Sequence, residues 1–311
     1  RDSLSKMKKN CLKKRFVNAD LYLMMVPAIV LLLIFAYFPM YGLTIAFKDY
    51  KPYLGIFESS WIGWRNFQNA VFTEGFVDLL KNTLILGALR LLVSFPASIA
   101  FAILLNELTI KWFKKTVQTI SYLPYFVSWI IIAGISQLFL ARDYGFLNHF
   151  LELFGAEPVN WYADASKWRA ILTVTNVWKN LGWGSIIYLA ALSNISPELY
   201  EAATVDGAGR FRQIWSICLP GIMPVICITF VLNISNLIRD DFEQIYALVG
   251  DNSMLYKTTD VIGTWIYRTM NSSFESYGQT TAVGLVQGVI SLVLVLGANF
   301  LVKRLGQEGI W

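Results

Sequence analysis

LYLMMVPAIVLLLIFAYFPMYGLTIAF, Leu21 to Phe47, runs without one charged side chain. A helix needs about 20 apolar residues to cross roughly 30 Å of hydrocarbon, and this stretch exceeds that. It is too long for the core of a signal peptide, and no small-residue cleavage pattern follows it, so it is expected to stay in the mature protein. Five further runs have comparable character: Asn82 to Leu105, Val117 to Leu140, Trp168 to Leu192, Ile222 to Ile238 and Thr280 to Val302. The expectation is an all-α, polytopic membrane protein with six transmembrane helices.

Composition agrees: 56% of the 311 residues are hydrophobic and 15% charged, against about 25% charged in soluble domains. The net charge of +5 is a matter of topology, with no basis in nucleic-acid binding. Residues 1–20, the loop with Lys111, Lys114 and Lys115, the loop with Arg210 and Arg212, and the tail with Lys303 and Arg304 hold 14 of the 26 basic residues. All four lie on one side of a six-span arrangement, which is therefore cytoplasmic. Both termini are expected there, and the opposite loops carry an acidic excess.

Cys11, Cys218 and Cys227 form no CxxC pair, and with His149 as the single histidine no metal site is expected. His149 suits a loop surface better than a catalytic base. Outside the membrane, Lys48 to Phe76 carries Trp61, Gly63, Trp64 and Arg65. Phe146, Leu147, Phe150, Leu151 and Phe154 are spaced for a short amphipathic helix, and Trp161, Tyr162 and Trp168 suit an interfacial aromatic belt. No repeat or linker separates a second domain: residues 1–20 form a basic cytoplasmic segment, and 21–311 one transmembrane domain.

Between the fourth and fifth runs lies SPELYEAATVDGAGRFRQIWSICLPGIMP, Ser196 to Pro224. Ser196 is a good N-cap and Pro197 suits a first helical turn, so a short helix is expected through Glu201, Ala202 and Ala203. Gly207 then turns the chain, and a second amphipathic piece is expected to end at Leu219 and Pro220, where the next span starts.

Glu201-Ala202-Ala203, three residues, Gly207, nine residues, then Ile217, Leu219 and Pro220 resembles, at full spacing, the EAA loop (196–220) of binding-protein-dependent ABC importer permeases. Asn82-Thr83, YLPYF at Tyr122, YGFLN at Tyr144, VWKNLGW at Val177 and the ending KRLGQEGIW extend the likeness over almost the whole chain. They resemble the carbohydrate-uptake branch, most closely permeases for polysaccharide-derived oligosaccharides. The resemblance implies a type I importer permease fold in a bacterial inner membrane. It implies four kinds of partner: a second homologous permease subunit, a cytoplasmic ABC ATPase dimer, an extracytoplasmic solute-binding protein and an oligosaccharide substrate. It assigns Glu201, Ala202, Ala203 and Gly207 to ATPase docking. Asp206, beside them, is an acid able to meet basic groups on that partner.

No GxxxxGK[ST] phosphate loop occurs, nor any Gly-Lys dipeptide. The chain is thus expected to hold no cofactor and not to be an enzyme; ATP and Mg belong to the separate ATPase subunits. Polar groups at membrane depth are costly and usually face protein or a hydrated path. Arg90, Asn176, Lys179, Asn233, Asn236, Arg239, Asp240 and Asp241 are the candidates for a substrate pathway, each weighed against a role in tying helices together. Asn233, Asn236 and Asp240 recur at helical spacing and should share a face. Tyr122, Tyr125, Trp178 and Trp183 offer faces for sugar rings. Arg90, Lys179 and Arg239 would admit an anionic sugar. An ion-gradient-driven secondary transporter is the alternative; it needs coupling carboxylates in mid-span, and the runs hold almost none. An intramembrane enzyme lacks its dyad.

Overall fold

The computed structural model describes residues 19–239, 241–272, 277–304 and 306. Helices dominate: α1 (Leu21–Phe47), α2 (Glu74–Glu107), α3 (Lys111–Tyr122), α4 (Trp129–Leu140), α5 (Phe146–Glu152), α6 (Ala165–Ser193), α7 (Pro197–Val205), α8 (Arg210–Ser235), α9 (Phe242–Val249), α10 (Ile262–Ser272) and α11 (Tyr277–Arg304). The sole sheet among the described residues is a two-stranded antiparallel ribbon, Lys48–Asp49 against Ser60–Trp61.

Among the described residues four helices, α1, α2, α8 and α11, are long and apolar enough to cross a membrane, and the bent pair α3 and α4 makes a fifth. The expectation of six runs is not reproduced on that count. Helix α6, with 29 residues, has length to span, roughly 44 Å at the helical rise, but it carries Asn176, Lys179 and Asn180 in its middle. The expected third span, Val117 to Leu140, is corrected: it is two helices bent by 101°. Pro124 sits in a 3-10 turn, Leu123–Phe126, and Val127 and Ser128 are extended. Ser128 then caps α4, its Oγ accepting from the Ile131 amide at 3.4 Å.

Three apolar helices contain a π-helical segment two residues before a proline: Leu33–Tyr37 before Pro39, Arg90–Ser94 before Pro96, and Ile214–Cys218 before Pro220. Proline has no N–H to donate and clashes with the carbonyl four residues back. The wider π turn moves that carbonyl aside and lets the helix continue. Leu219 and Pro220 therefore do not end a helix, as the sequence suggested; α8 passes through them. It stops at Ser235, short of the expected Ile238.

Helix α6 is the axle. Asp164 caps it, accepting from the Ser166 amide at 3.0 Å. With Ser166 and a close Lys167 ammonium donating, the Asp164 carboxyl is held down at about 2. Its buried stripe is Trp168, Leu172, Asn176, Lys179, Gly182, Ser185, Tyr188 and Leu192. Its N-terminal half packs with Leu86, Trp129, Ile132, Ile245 and Leu248; its C-terminal half packs with Ile99, Ala102, Cys218 and Ile222. Trp168 is fully buried here, donating its indole N–H to the Trp161 carbonyl at 2.7 Å, so it belongs to the core and not to an interfacial belt. His149 lies in α5, exposed beside Glu152.

The middle of the stripe is polar. Lys179 is 8% exposed, and its ammonium donates to the carbonyls of Tyr125 (2.9 Å) and Val127, between the rings of Trp129 and Tyr125. It thus satisfies backbone acceptors freed by the bend between α3 and α4. Replacing Lys179 with Met should destabilise the purified protein by about 3 kcal/mol, since hydrogen bonds to a charged group contribute roughly 1.5 to 3 kcal/mol each. Thermal unfolding in detergent measures this; an unchanged midpoint would assign Lys179 some other role.

Candidate functional site

A cleft of about 530 Å³ opens beside the middle of α6, between α2, α6, α8 and the segment leading to α9. Arg90, Ser94 and Ser98 reach it from α2 at four-residue spacing, Asn176, Asn180 and Trp183 from α6, and Thr229 and Asn233 from α8, with Asn236, Arg239 and Asp241 beyond its end. The approach is close because α2 has Gly87 there: a β-carbon would lie 2.0 Å from the Leu237 carbonyl oxygen. That contact sets Arg239 beside Arg90, whose guanidinium donates to the Arg239 carbonyl at 3.2 Å and stands 3.8 Å from the Asp241 carboxylate.

The wall is a connected network. The Asn176 amide donates to Asp241 and to Gln244, each at 3.2 Å, and its oxygen accepts from the Ser94 hydroxyl at 3.2 Å. Gln244 donates onward to the Leu172 carbonyl at 2.7 Å. Tyr188 donates to Thr229 across the floor at 3.0 Å. In contrast, Asn233, Asn236 and Arg239 are exposed, and among the described residues the two asparagine side chains donate only to the Thr229 and Leu232 carbonyls of α8. Trp183, 44% exposed, stacks on Tyr125 with ring centroids 4.4 Å apart, leaving aromatic surface on the cleft.

Of the pathway candidates, Asn176, Asn233, Asn236 and Arg239 share this cleft, as does Arg90. Lys179 does not line it; its donors are turned to the bend described above. Asp240 lies outside the described residues, and the acid in the wall is Asp241. Ser94, Ser98, Asn180 and Thr229 also line the cleft and are not among the candidates drawn from the sequence. Their signal was there: Arg90, Ser94 and Ser98 form an i, i+4, i+8 stripe in an otherwise apolar run.

At the far end of α6 the expected short helix appears as α7. Ser196 caps it, accepting from the Glu198 amide at 3.4 Å, with Pro197 in its first turn. It closes on Gly207, at φ +76, with the Ala208 amide returning to the Ala203 carbonyl at 2.8 Å. That is a left-handed cap which favours glycine. Glu201, Ala202, Asp206 and Gly207 are exposed, and Ala203 is partly buried. Leu199 and Val205 are also exposed, the latter at 88%. The loop is fastened from behind: Gln213 donates to Thr204 at 3.0 Å, Arg210 pairs with Glu107 of α2 at 2.7 Å, and Tyr200 contacts Cys218 at 3.3 Å. Burial pushes the Tyr200 phenol up.

Residues 94–308 match the family of binding-protein-dependent transport system inner membrane components. The chain belongs to that family. This permease is 40% identical to Protein LplB of Bacillus subtilis, over 94% of its own length and 91% of the relative's. It is also 40% identical to the polygalacturonan/rhamnogalacturonan transport system permease protein YteP of Bacillus subtilis, over 98% and 94%. In a crystal structure of a bacterial alginate ABC transporter in complex with alginate pentasaccharide-bound periplasmic protein, one chain superposes with a TM-score of 0.87 at 38% identity. That match covers 96% of the permease and 99% of the chain. The expected permease fold and sugar-importer branch are thereby met. None of these relatives supports the gradient-driven alternative.

Proposed function

We propose that this permease forms half of the path by which an acidic oligosaccharide enters the cell, the other half being a second, homologous permease subunit. An extracytoplasmic solute-binding protein delivers the sugar to the outer loops. A cytoplasmic ABC ATPase dimer, carrying ATP and Mg, docks on α7. In this reading α6 is the sixth span, its polar middle shielded by neighbours, both termini are cytoplasmic, and residues 21–311 act as one transmembrane domain in a bacterial inner membrane.

One observation carries the proposal: exposed amides and a guanidinium from α8 and the segment after it, and an indole face from α6, share a cleft beside α6, the helix that ends in the exposed loop. Sugar hydroxyls need hydrogen-bonding side chains, pyranose faces need flat apolar surface, and a carboxylate suits a guanidinium. Arg90 is engaged with Asp241, while Arg239 has its side chain exposed. The relatives named above for polygalacturonan and alginate handle acidic polymers. From Asn180 to Ser193 is roughly 20 Å of continuous helix, long enough to carry a rigid-body shift from the loop to the cleft.

Substitution separates path from scaffold. In the assembled complex, Asn233→Ala should lower uptake of labelled trigalacturonate several-fold, because one hydrogen bond contributes about 0.5 to 1.5 kcal/mol. Asn236→Trp should abolish uptake by filling the cleft. Expression and complex assembly should hold for both. If Asn236→Trp transports normally, the cleft is not the path.

The loop is tested separately. Gly207→Leu places a side chain at positive φ, a cost of about 1 to 2 kcal/mol or more, and should distort the cap without affecting membrane insertion. Co-purification of the ATPase should weaken, or hydrolysis should uncouple from uptake. Wild-type assembly together with wild-type uptake would remove the docking role from this loop.

A further inference from the structure

A second cavity, of about 680 Å³, lies at the opposite end of the bundle from α7, among the first turns of α2, the start of α6 and the segment before α10. Asn82 organises it. Its amide donates to the carbonyls of Tyr256, Lys257 and Asp260 at 3.1 to 3.4 Å, and its oxygen accepts from the Arg169 guanidinium at 2.8 Å. These bonds consume Asn82 and pin Arg169 against the cavity.

The charges there do not cancel locally. The two lining acids are already engaged, Asp78 by Lys81, which also lines the cavity, at 3.3 Å and Asp260 by Arg268 at 2.7 Å. Arg169 and Lys257 also line the cavity, and among the described residues neither has an ion-pair partner. Among the described residues the Arg169 Nε is buried, out of reach of anything in the cavity, and has no hydrogen-bond partner, so the protein leaves the guanidinium under-satisfied. Arg169 itself is partly exposed and lines the cavity, and a planar oxyanion is the group whose geometry fits a guanidinium. Trp265 adds an aromatic wall, and the volume falls within the range of small-molecule sites, about 300 to 1,000 Å³.

We propose that this cavity is an outer subsite for a carboxylated sugar unit, with Arg169 and Lys257 receiving the carboxylate and Trp265 facing the ring. The inference rests on the acidic-oligosaccharide reading and deepens it. The cavity and the cleft lie along one helix, Asn82 being roughly 12 Å from Arg90 at the helical rise. A concave, aromatic-walled site favours a sugar over an acidic side chain on a flat protein partner.

The test uses the whole complex in lipid nanodiscs, with trigalacturonate and its carboxyl-reduced counterpart as probes. Lys257→Gln removes a charge whose side chain makes no hydrogen bond among the described residues, so folding should be unaffected. Half-saturation for trigalacturonate should rise about tenfold, the loss of one charge-assisted contact, with no change for the reduced sugar. Arg169→Gln should do the same, although it also disturbs Asn82. Independently, a Lys257→Cys protein lacking other cysteines should be shielded from a water-soluble thiol reagent by trigalacturonate and not by the reduced sugar. If wild-type transport of trigalacturonate stands while both Gln variants leave half-saturation unchanged, the outer subsite is refuted and the cleft reading survives. If wild type carries only the reduced sugar, the acidic reading fails and takes the subsite with it. If Lys257→Gln weakens co-purification of a partner subunit without altering sugar affinity, the cavity is a protein contact and the proposal is wrong.

Discussion

In the proposed six-span arrangement the polar midsection of α6 has to be satisfied by protein, because lipid offers no hydrogen bonds. Much of the bundle is arranged around that requirement. Asn176 is closed in by Ser94, Asp241 and Gln244; Lys179 is closed in by the carbonyls of the bend between α3 and α4. Each partner is drawn from a different part of the chain, so the helix cannot reach its place unless α2, α4 and α9 reach theirs. The apolar clusters at its two ends then hold a frame whose middle is polar on both sides: sealed toward the bend, open toward the cleft.

The same frame distributes stiffness. Helix α6 has no proline or π segment over its 29 residues, whereas α1, α2 and α8 each widen just before one. Two of those widened turns touch functional ground, since Arg90 begins one and Cys218, behind the loop, ends another. A straight rod between bent neighbours transmits displacement instead of absorbing it. Glu107 and Arg210 tie the ends of α2 and α8 beside α7 together, so movement of α7 reaches two walls of the cleft.

Much of this was legible in the residues. The loop was readable in detail, since Ser196, Pro197 and Gly207 act through local rules of capping and backbone sterics. The cleft was half legible: Asn176, Asn233, Asn236 and Arg239 stood out as polar residues in apolar runs. What the residues alone do not reveal is direction. Lys179 and Asn176 lie three apart on one stripe, yet one faces the bend and the other the cleft wall, a distinction set by where distant carbonyls fall. The 101° bend was hidden for a related reason, because Val117 to Leu140 is continuous in hydrophobicity and only Pro124 and the capping Ser128 break it. Asp241 is among the polar candidates but not on the face expected for Asn233, Asn236 and Asp240, since that face requires helical spacing to continue past Ser235, where α8 stops.

The central claim is that the face of Asn233 and Asn236 is wet and carries substrate. Its most direct measurement is thiol accessibility: a single cysteine at position 233, in a chain otherwise free of cysteine, within the assembled complex in a bilayer. Rapid modification by a membrane-impermeant, water-soluble reagent is expected, slowed when trigalacturonate and binding protein are present and turnover is halted. A cysteine that stays unmodified in a correctly assembled complex, or one modified at the same rate with and without sugar, would contradict it.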